Sequence, residues 1–178
     1  MPDLTDPSPD LREAWLQAHR EWPHEHQDGS ALSDDDDVDS VAGFAAFVSR
    51  LQDEADETRT LPAGRVHCSY WWITEGRRVV GAIALRLRLN ESLRDAGGHV
   101  GYSVRPSARR RGLAGWALAR AVRRASAMGI SEVLVTCAVD NHASARTITS
   151  AGGVLEDVRD TAAGRVQRYW ITAGGEKI

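Results

Sequence analysis

A turn of arginines and glycines, Arg109 to Gly115, is the feature that most constrains the fold of this chain. It follows a strand-like segment, Gly97 to Val104, which Pro106 ends because proline cannot donate to a β-ladder. An apolar stripe at helical spacing runs on from Arg111 to Met128, and Gly129 stands where a glycine commonly ends a helix. The sequence therefore predicts a strand, a tight turn and an amphipathic helix in immediate succession.

The rest of the chain predicts three more helices and five more strands. Apolar residues recur at helical spacing in the helices, whereas the strands are rich in β-branched and aromatic residues or alternate in polarity. The polar stretch from Asn90 to Ala96 is predicted to be a loop, and Ala162-Ala163-Gly164 to close a terminal hairpin. The helices are predicted over Asp10 to Arg20, ending near Pro23, over Ser40 to Glu57 and over Asn141 to Ala151, and the strands over Val66 to Ile73, Val79 to Leu89, Val133 to Val139, Val154 to Val158 and Val166 to Ile171.

The composition predicts a soluble globular domain. The 178 residues are 42% apolar and 26% charged, and the net charge is −3. No apolar run approaches the roughly 20 residues needed to cross a bilayer. The acidic start, Met1 to Asp10, is unlike a signal peptide, so we expect a cytoplasmic protein without a membrane partner. Cys68 and Cys137 lack the spacing of zinc ligands, so no metal is expected.

The turn from Arg109 to Gly115 is a candidate anion site. The first N–H groups of a helix lack intrahelical partners and carry partial positive charge from the helix dipole, so they stabilise a diphosphate. Gly112 and Gly115 let oxygen atoms approach the main chain, and the arginines add charge-assisted donors. The alternative is structural, with glycines that permit tight packing and arginines that form a solvated face. The P-loop and dinucleotide-binding patterns are absent from this junction.

The turn resembles the cofactor turn of the GCN5-related N-acetyltransferases, the GNAT family. In that family's pattern, Gln or Arg is followed by two residues, Gly, one residue and then Gly or Ala, after a strand that ends Val-x-Pro. Arg109-Arg110-Arg111-Gly112-Leu113-Ala114 fits the pattern, and Val104-Arg105-Pro106 precedes it at the expected spacing. The resemblance extends from Val66 to Ile171, and the run from Leu85 to Pro106 looks like a poorly characterised bacterial branch of the family.

The resemblance implies an α/β fold of the α+β type. Its GNAT-like sheet would be mixed but mostly antiparallel, with about six to seven strands, four flanking helices and a splay between the two central strands. Residues 1–178 would form a single acetyltransferase domain. The N-terminal helices and an acceptor-side loop would lie in 1–62, and the core sheet and cofactor site in 63–172.

The resemblance also implies acetyl-CoA as the cofactor. Its pantetheine arm would lie in the splay and bond to strand backbone near Val104, and main-chain amides from Arg110 to Gly115 would hold the pyrophosphate. Asn141 and Ser144 would contact the pantetheine arm or position water, although a plain helix N-cap is the alternative for Asn141. The implied cofactor-binding residues are Val104, Arg109, Arg110, Arg111, Gly112, Leu113, Ala114, Gly115, Asn141 and Ser144.

The implied reaction is direct attack of a primary amine on the acetyl group in a ternary complex. The acceptor would be a small-molecule or peptide amine, and the enzyme a monomer or homodimer. The reaction needs a neutral amine, a hydrogen-bond donor for the oxyanion and a proton for the thiolate. A backbone N–H near the end of the third predicted strand is the candidate for the oxyanion donor. His99 is the first candidate for the base and Glu91 the second, and a non-catalytic place is the alternative for each.

The general acid departs from the family pattern. The Tyr that the family usually carries seven residues after Asn141 is Ile148 here, and the usual Gly-Phe ending is Gly152-Gly153. Tyr169 and Tyr102 are the remaining candidates, and packing in the sheet is the alternative for both.

Two segments are candidates for the acceptor side. The loop from Glu25 to Ser40 matches the position of the family's acceptor-side loop, so its acidic run either attracts a cationic amine or is only solvated. Tyr70, Trp71 and Trp72 either line an acceptor pocket or belong to the core and to dimer contacts.

Two other functions stay open. Without the usual Tyr, the chain could be a catalytically silent acyl-CoA-binding module. Arginines around one helix could bind nucleic acid, but the negative net charge and the lack of interleaved aromatic residues argue against such a partner. These arginines are Arg105, Arg109, Arg110, Arg111, Arg120, Arg123 and Arg124.

Overall fold

The computed structural model describes residues 1–22, 26–162 and 164–174. Three of the expectations above reach beyond this range. The end of the first helix near Pro23, the start of the acidic loop at Glu25 and the hairpin residue Ala163 lie outside the described residues.

The described residues form seven strands and five α-helices, with short 3-10 turns at Pro9–Leu11 and Pro106–Ala108. The helices are α1 Arg12–His19, α2 Val41–Ala55, α3 Glu91–Asp95, α4 Leu113–Ala127 and α5 His142–Ser150. The strands are β1 Pro2–Thr5, β2 Cys68–Glu75, β3 Arg78–Arg86, β4 Val100–Val104, β5 Glu132–Ala138, β6 Val154–Thr161 and β7 Gly164–Thr172.

All seven strands form one sheet in the order β1-β2-β3-β4-β5-β7-β6. Every neighbouring pair is antiparallel except β4 and β5, which are parallel. The predicted mixed, mostly antiparallel sheet is thereby confirmed.

β1 and α3 are not predicted from the sequence. β1 is a short edge strand containing Pro2, and only its pairing with β2, with Leu4 opposite Ile73, defines it. α3 begins after Asn90, whose side chain accepts a hydrogen bond from the Leu93 N–H at 2.9 Å and so caps the helix. The loop prediction for this polar stretch is therefore wrong over Glu91–Asp95.

The sheet is packed on both faces. α4 and α5 contribute to the core on one face, and α1 and α2 contribute to the core on the other. Trp71 lies in the first core and Trp72 in the second, because successive residues of a strand point to opposite faces. Tyr70 packs beside the second core, and its hydroxyl donates to Glu54 at 2.5 Å. Of the two roles considered for these aromatic residues, the structure supports core packing.

The sheet is split at its centre. Within the described residues, β4 and β5 are paired only where Val100 lies opposite Val135. Towards its carboxyl end β4 stays paired with β3, up to Val104 opposite Gly81, but it is no longer paired with β5. The predicted splay between the two central strands is confirmed, and we call this opening the β4–β5 gap.

Glu21, which follows α1, holds the end of β4. Its carboxylate accepts from both Nε and a terminal nitrogen of Arg105, and from the N–H and hydroxyl of Ser107 at 2.9 Å each. The Arg105 side chain is only 4% exposed. Its hydrogen bonds lower the pKa of Glu21 to about 2. This ion pair therefore ties the α1 side of the sheet to the turn that begins α4.

We expect Glu21→Ala to lower the free energy of unfolding at pH 7 by about 3 kcal/mol, because it leaves a buried guanidinium unpaired. The pKa of Glu21 lies below its ordinary value of 4.5 in the folded state, so its stabilisation is complete above about pH 4.5 and is lost as the pH falls towards 2. Urea unfolding across this pH range measures both effects. Glu57→Ala removes an exposed carboxylate without an ion pair among the described residues and should change stability by less than about 0.5 kcal/mol. Equal stabilities of the two variants would contradict the assignment.

Candidate functional site

The backbone at the start of α4 exposes a row of hydrogen-bond donors. Arg110 and Gly112 adopt left-handed conformations, with φ +61° and +77°. The first helical hydrogen bond runs from the Trp116 N–H to the Gly112 carbonyl at 3.0 Å. Within the part of the chain that the structure describes, the N–H groups from Gly112 to Gly115 donate to no protein acceptor. They lie at the positive end of a 15-residue helix.

The space in front of these donors is open. A Cβ atom added to Gly112 or Gly115 would meet no protein atom within 4 Å. Leu113 is buried, so the helix start is anchored on the core while its main chain stays approachable. Unpaired amides, an open approach and a helix dipole together fit a diphosphate group.

The side chains of the three arginines in the turn lie in different surroundings. Arg111 forms a two-pronged ion pair with Glu75, at 3.0 and 2.6 Å. Arg109 donates from Nε to the Val104 carbonyl at 3.1 Å, and its guanidinium lies 4.9 Å from the ring centroid of Trp22. Arg110 is exposed. Main-chain amides, more than a cluster of guanidinium groups, therefore make up the candidate site.

Backbone groups of β4 point into the β4–β5 gap. The Arg105 N–H donates across to β3, to the Val80 carbonyl at 2.9 Å. Because alternate residues of an antiparallel strand direct their polar groups to opposite edges, those of Val104 and Tyr102 point away from β3 and into the gap. The gap is therefore lined by main-chain donors and acceptors that an extended amide-containing ligand can pair with.

Tyr102 and Ser144 meet at the gap. Their hydroxyl groups hydrogen-bond at 2.8 Å. Ser144 lies in the first turn of α5, where its N–H donates to the Asn141 side chain at 3.0 Å, so Asn141 caps the helix. Burial is the main cause that raises the pKa of Tyr102 to about 12, so the hydroxyl keeps its proton at neutral pH. Ile148, at the family's usual Tyr position, is fully buried in the core.

His99 joins β4 to β5 at the closed end of the gap. Its N–H donates to the Leu134 carbonyl at 2.7 Å, and its Nδ1 accepts from the Leu134 N–H at 2.9 Å. Burial, with the charges of Arg94 and Arg86, lowers the pKa of His99 to about 4. The ring is therefore neutral at pH 7 with Nδ1 already occupied, and a role as base requires the bond to Leu134 to break. The prediction that His99 is the base is not tested by this arrangement and stays a prediction.

The other two catalytic candidates lie in different surroundings. Glu91 is exposed in the first turn of α3, with no ion pair to any described residue. Tyr169 is buried in β7 opposite Val135, and its hydroxyl bonds to the Gln167 side chain. Burial raises the pKa of Tyr169. The structure does not bring Glu91, His99 and Tyr169 together into one hydrogen-bonded group.

Part of the acidic run, in the loop that was predicted to border the acceptor, stabilises the fold. Asp36 forms an ion pair with Arg50 of α2 at 2.6 Å. Asp37 accepts from the Ser40 N–H at 3.1 Å and from its hydroxyl, which places the α2 cap. Hydrogen bonds from Ser40 lower the pKa of Asp37. Burial opposes ionisation of Asp36, but hydrogen bonds from Ser33 and Arg50 outweigh it and lower the pKa of Asp36. Both carboxylates are therefore ionised at neutral pH. Asp35 is exposed.

The described residues contain no group of three or more His, Cys, Asp or Glu side chains that could hold a metal ion. None of the helices described is long and apolar enough to cross a membrane. Cys68 and Cys137 are free and buried, and burial raises the pKa of both thiols.

Comparison with known proteins connects this geometry to a family. The model of the acetyltransferase (GNAT) domain matches residues 20–154. No curated protein matches the sequence significantly.

Solved structures with the same fold share little sequence with the chain. The microcin C7 self-immunity acetyltransferase MccE, solved with acetyl-CoA and AMP, is 14% identical, with a TM-score of 0.70 over 96% of this chain and 92% of that one. RimL, a ribosomal L7/L12 alpha-N-protein acetyltransferase solved with coenzyme A, is 17% identical, with a TM-score of 0.69 over 96% and 93%. RimJ of Mycobacterium smegmatis is 19% identical, with a TM-score of 0.70 over 97% and 86%.

We expect the protein to lose stability as the pH falls from about 6.5 to about 4, because His99 binds a proton more weakly in the folded state than in the unfolded state. The full contribution, on the order of 3 kcal/mol, is present above the unfolded pKa. His99→Gln keeps a side-chain acceptor but cannot titrate, so its unfolding free energy should vary less over this range. His142→Gln, at an exposed position in α5, should retain the wild-type pH dependence. Identical pH profiles for His99→Gln and the wild type would contradict the prediction.

Proposed function

Because this chain belongs to the GNAT acetyltransferase family, we propose that it transfers an acetyl group from acetyl-CoA to a primary amine by direct attack in a ternary complex. As a family member it is an acyltransferase. The observation that carries the proposal is the row of unpaired amides at the start of α4, which opens beside the β4–β5 gap. The comparisons support the donor, since MccE is described as a complex with acetyl-CoA.

The chain's own residues fit each part of the cofactor. The amides from Arg110 to Gly115 would hold the pyrophosphate, with Leu113 and Ala114 fixing the helix start. Val104 would pair with the pantetheine arm through its backbone, and Ser144, held by Asn141, would contact the same arm. Arg109 would add positive charge from its present position beside the turn, whereas Arg111 would have to leave Glu75 to contact the cofactor directly. When bound, acetyl-CoA supplies a thioester whose carbonyl carbon accepts the amine.

Tyr102 is the residue best placed to assist acetyl transfer, through its backbone N–H and through its hydroxyl. Its backbone N–H points into the gap, where it would stabilise the developing oxyanion. Its hydroxyl, hydrogen-bonded to Ser144 at 2.8 Å, would supply the proton that the departing thiolate needs. The side chain reaches the gap from β4, whereas the family's usual Tyr comes from the helix that holds Ile148. Tyr169 stays the second candidate for the acid.

The base and the acceptor complete the proposal. His99 and Glu91 stay the predicted bases, and the acceptor is a small-molecule or peptide amine. RimL is described as acting on a protein α-amino group, which makes a free peptide N-terminus one acceptor to try. We place the enzyme in the cytoplasm as a monomer or homodimer.

Gly112→Glu should weaken acetyl-CoA binding at least about 100-fold, because it puts a side chain and a negative charge in front of the phosphate-binding amides. Isothermal titration calorimetry with acetyl-CoA measures this directly. Gly129→Glu is the matched control, since Gly129 has φ +80°, follows the same helix and has the same open surroundings. Unchanged affinity in Gly112→Glu, with normal affinity in the control, would remove the turn from the cofactor site.

A thiol-release assay distinguishes the enzyme from a silent binding module. The wild type is incubated with acetyl-CoA and a panel of spermidine, lysine, kanamycin and an alanyl tetrapeptide with a free N-terminus. Release of free thiol that depends on one of these amines, with the acetylated amine found by mass spectrometry, supports the proposed function. Tight binding of acetyl-CoA with no acetylated product from any amine would favour the silent module, and binding of an RNA or DNA oligomer alone would favour the nucleic-acid alternative.

Tyr102→Phe should lower kcat about 100-fold and leave the dissociation constant of acetyl-CoA within about twofold, because it removes the proton donor but no cofactor-binding backbone. Tyr169→Phe is the matched comparison, since it also removes one buried hydroxyl. A larger loss of kcat in Tyr169→Phe would assign the acid to Tyr169. Full activity in both variants would show that neither hydroxyl donates the proton.

A further inference from the structure

A short loop on the α1 side of the sheet lies directly on β4. In this segment, His26 to Leu32, Gly29 packs backbone to backbone against Gly101. A Cβ atom on Gly29 would lie 2.4 Å from the Gly101 carbonyl oxygen, and one on Gly101 would lie 3.2 Å from the Gly29 nitrogen. With φ +79°, Gly29 also needs a backbone conformation that favours glycine. Gly29 therefore requires glycine for the loop to sit this close, and a side chain at Gly101 would push the loop outward by a few tenths of an ångström. We call this segment the Asp28 loop.

Hydrogen bonds on either side of Asp28 fix the loop. Gln27 bonds through Nε2 to Nδ1 of His19, on α1, at 2.9 Å. Ser30 is buried, and its hydroxyl donates to the Gln27 carbonyl at 2.8 Å. Asp28 itself is turned outward, with 67% of its side chain accessible. The loop thus holds one accessible carboxylate beside the strand that forms the wall of the β4–β5 gap.

The Asp28 carboxylate interacts electrostatically with His26, Arg86 and Tyr102. Nε2 of His26 lies 3.4 Å from Oδ1 of Asp28, and Arg86 of β3 donates to the carbonyls of Gly97 and Gly98 at 3.1 Å each. Although accessible, the carboxyl is partly desolvated, and this raises its pKa against the opposing charges of His26 and Arg86. Its negative charge also adds to the burial that raises the pKa of Tyr102. The Asp28 charge is therefore felt at the residue that lines the gap.

We propose that Asp28, in place of His99 or Glu91, is the base that takes the proton of the acceptor amine, and that it first binds the ammonium group of that amine. This inference rests on the proposed acetyl transfer and names the acceptor side of that site. The packing of Gly29 on Gly101 brings its neighbour Asp28 close to Tyr102, on the sheet face opposite α4. The amine and the acetyl donor would then enter from opposite faces of the sheet and meet at β4.

The proton transfer balances without a further reactant. One N–H bond of the ammonium group breaks and an O–H bond forms on the Asp28 carboxylate, which leaves the electron pair on nitrogen. That pair forms the new N–C bond to the thioester carbonyl carbon. As the C–S bond breaks, its electrons stay on sulfur, which takes a proton from the hydroxyl of Tyr102. The second proton lost by the nitrogen restores the Tyr102 hydroxyl, so the products are a neutral amide and a free thiol. Asp28 then returns its proton to solvent through its accessible side.

This assignment selects a class of acceptor. A carboxylate favours amines that are cationic at neutral pH, such as alkyl ammonium groups, because it pairs with the charged form before it accepts the proton. An amine that is already neutral at the assay pH, such as methoxyamine, needs neither a charged partner nor a base to remove a proton. The difference between the two kinds of amine separates a base from a residue that only supports the fold.

The test compares Asp28→Asn with the wild type, using whichever amine of the panel the wild type acetylates fastest. We expect kcat/KM for that amine to fall about 100-fold. Turnover of methoxyamine should change less than about threefold, as should the affinity for acetyl-CoA by calorimetry. With free coenzyme A present, the dissociation constant of the amine should rise about tenfold.

Asp35→Asn is the matched control, because it removes an exposed carboxylate from the same acidic stretch of the chain and should behave as the wild type. Equal kcat/KM in Asp28→Asn and the wild type would overturn the role of Asp28 alone. Equal losses for the cationic amine and for methoxyamine would also overturn it, since they would indicate a structural defect. A wild type that acetylates none of the amines would overturn the proposed function itself, and the inference with it.

Discussion

The single parallel contact between β4 and β5 is the constraint on which the rest of the site depends. At this point His99 makes two hydrogen bonds to Leu134, and Gly98 lies so close to the Leu134 carbonyl that an added Cβ would be 2.5 Å from its oxygen. The strands are pinned there by backbone contact, and they separate immediately beyond it. Because β4 remains bound to β3, its outward backbone groups at Tyr102 and Val104 face an opening instead of a neighbouring strand. Backbone groups that lack a partner in the middle of a sheet cost stability unless a ligand, a side chain or solvent satisfies them. Arg109 satisfies the Val104 carbonyl, and the other outward backbone groups make the opening a candidate ligand site.

The two faces of the sheet are also tied together across this opening. Arg105, which follows β4, is buried, and its partner Glu21 follows α1. Gly29 packs on Gly101 one strand residue before Tyr102. The wall of the gap, the turn before α4 and the loop that carries Asp28 therefore form one connected unit. The contacts of Glu21 with Arg105 and Ser107 connect the α1 side of the sheet directly to the candidate phosphate turn.

The sequence predicted those parts of the fold in which local pattern and tertiary structure agree. α4 follows from an apolar stripe with a glycine at each end, and β5 from a run that is buried on both faces. β1 and α3 escaped prediction because a partner strand defines the first and a single side-chain cap the second. The Tyr102–Ser144 pair joins residues 42 positions apart, and no local signal marks it. The turn before α4 could be predicted as a candidate phosphate site because its donors come from the backbone at a helix start, which sequence reveals more reliably than the direction of a side chain.

The arginines illustrate that difference. By sequence they form one basic cluster, but in the structure they serve separate tasks. Arg105 and Arg111 pair with carboxylates. Arg109 donates to the carbonyl that ends β4, and the guanidinium of Arg124 lies 4.3 Å from the ring centroid of Trp71. Once two of the charges are neutralised, the region is a weaker attractant for a polyanion than its composition implies, which counts against the nucleic-acid alternative. What remains at the turn is a compact set of main-chain donors, and its size suits one diphosphate rather than an extended phosphate backbone.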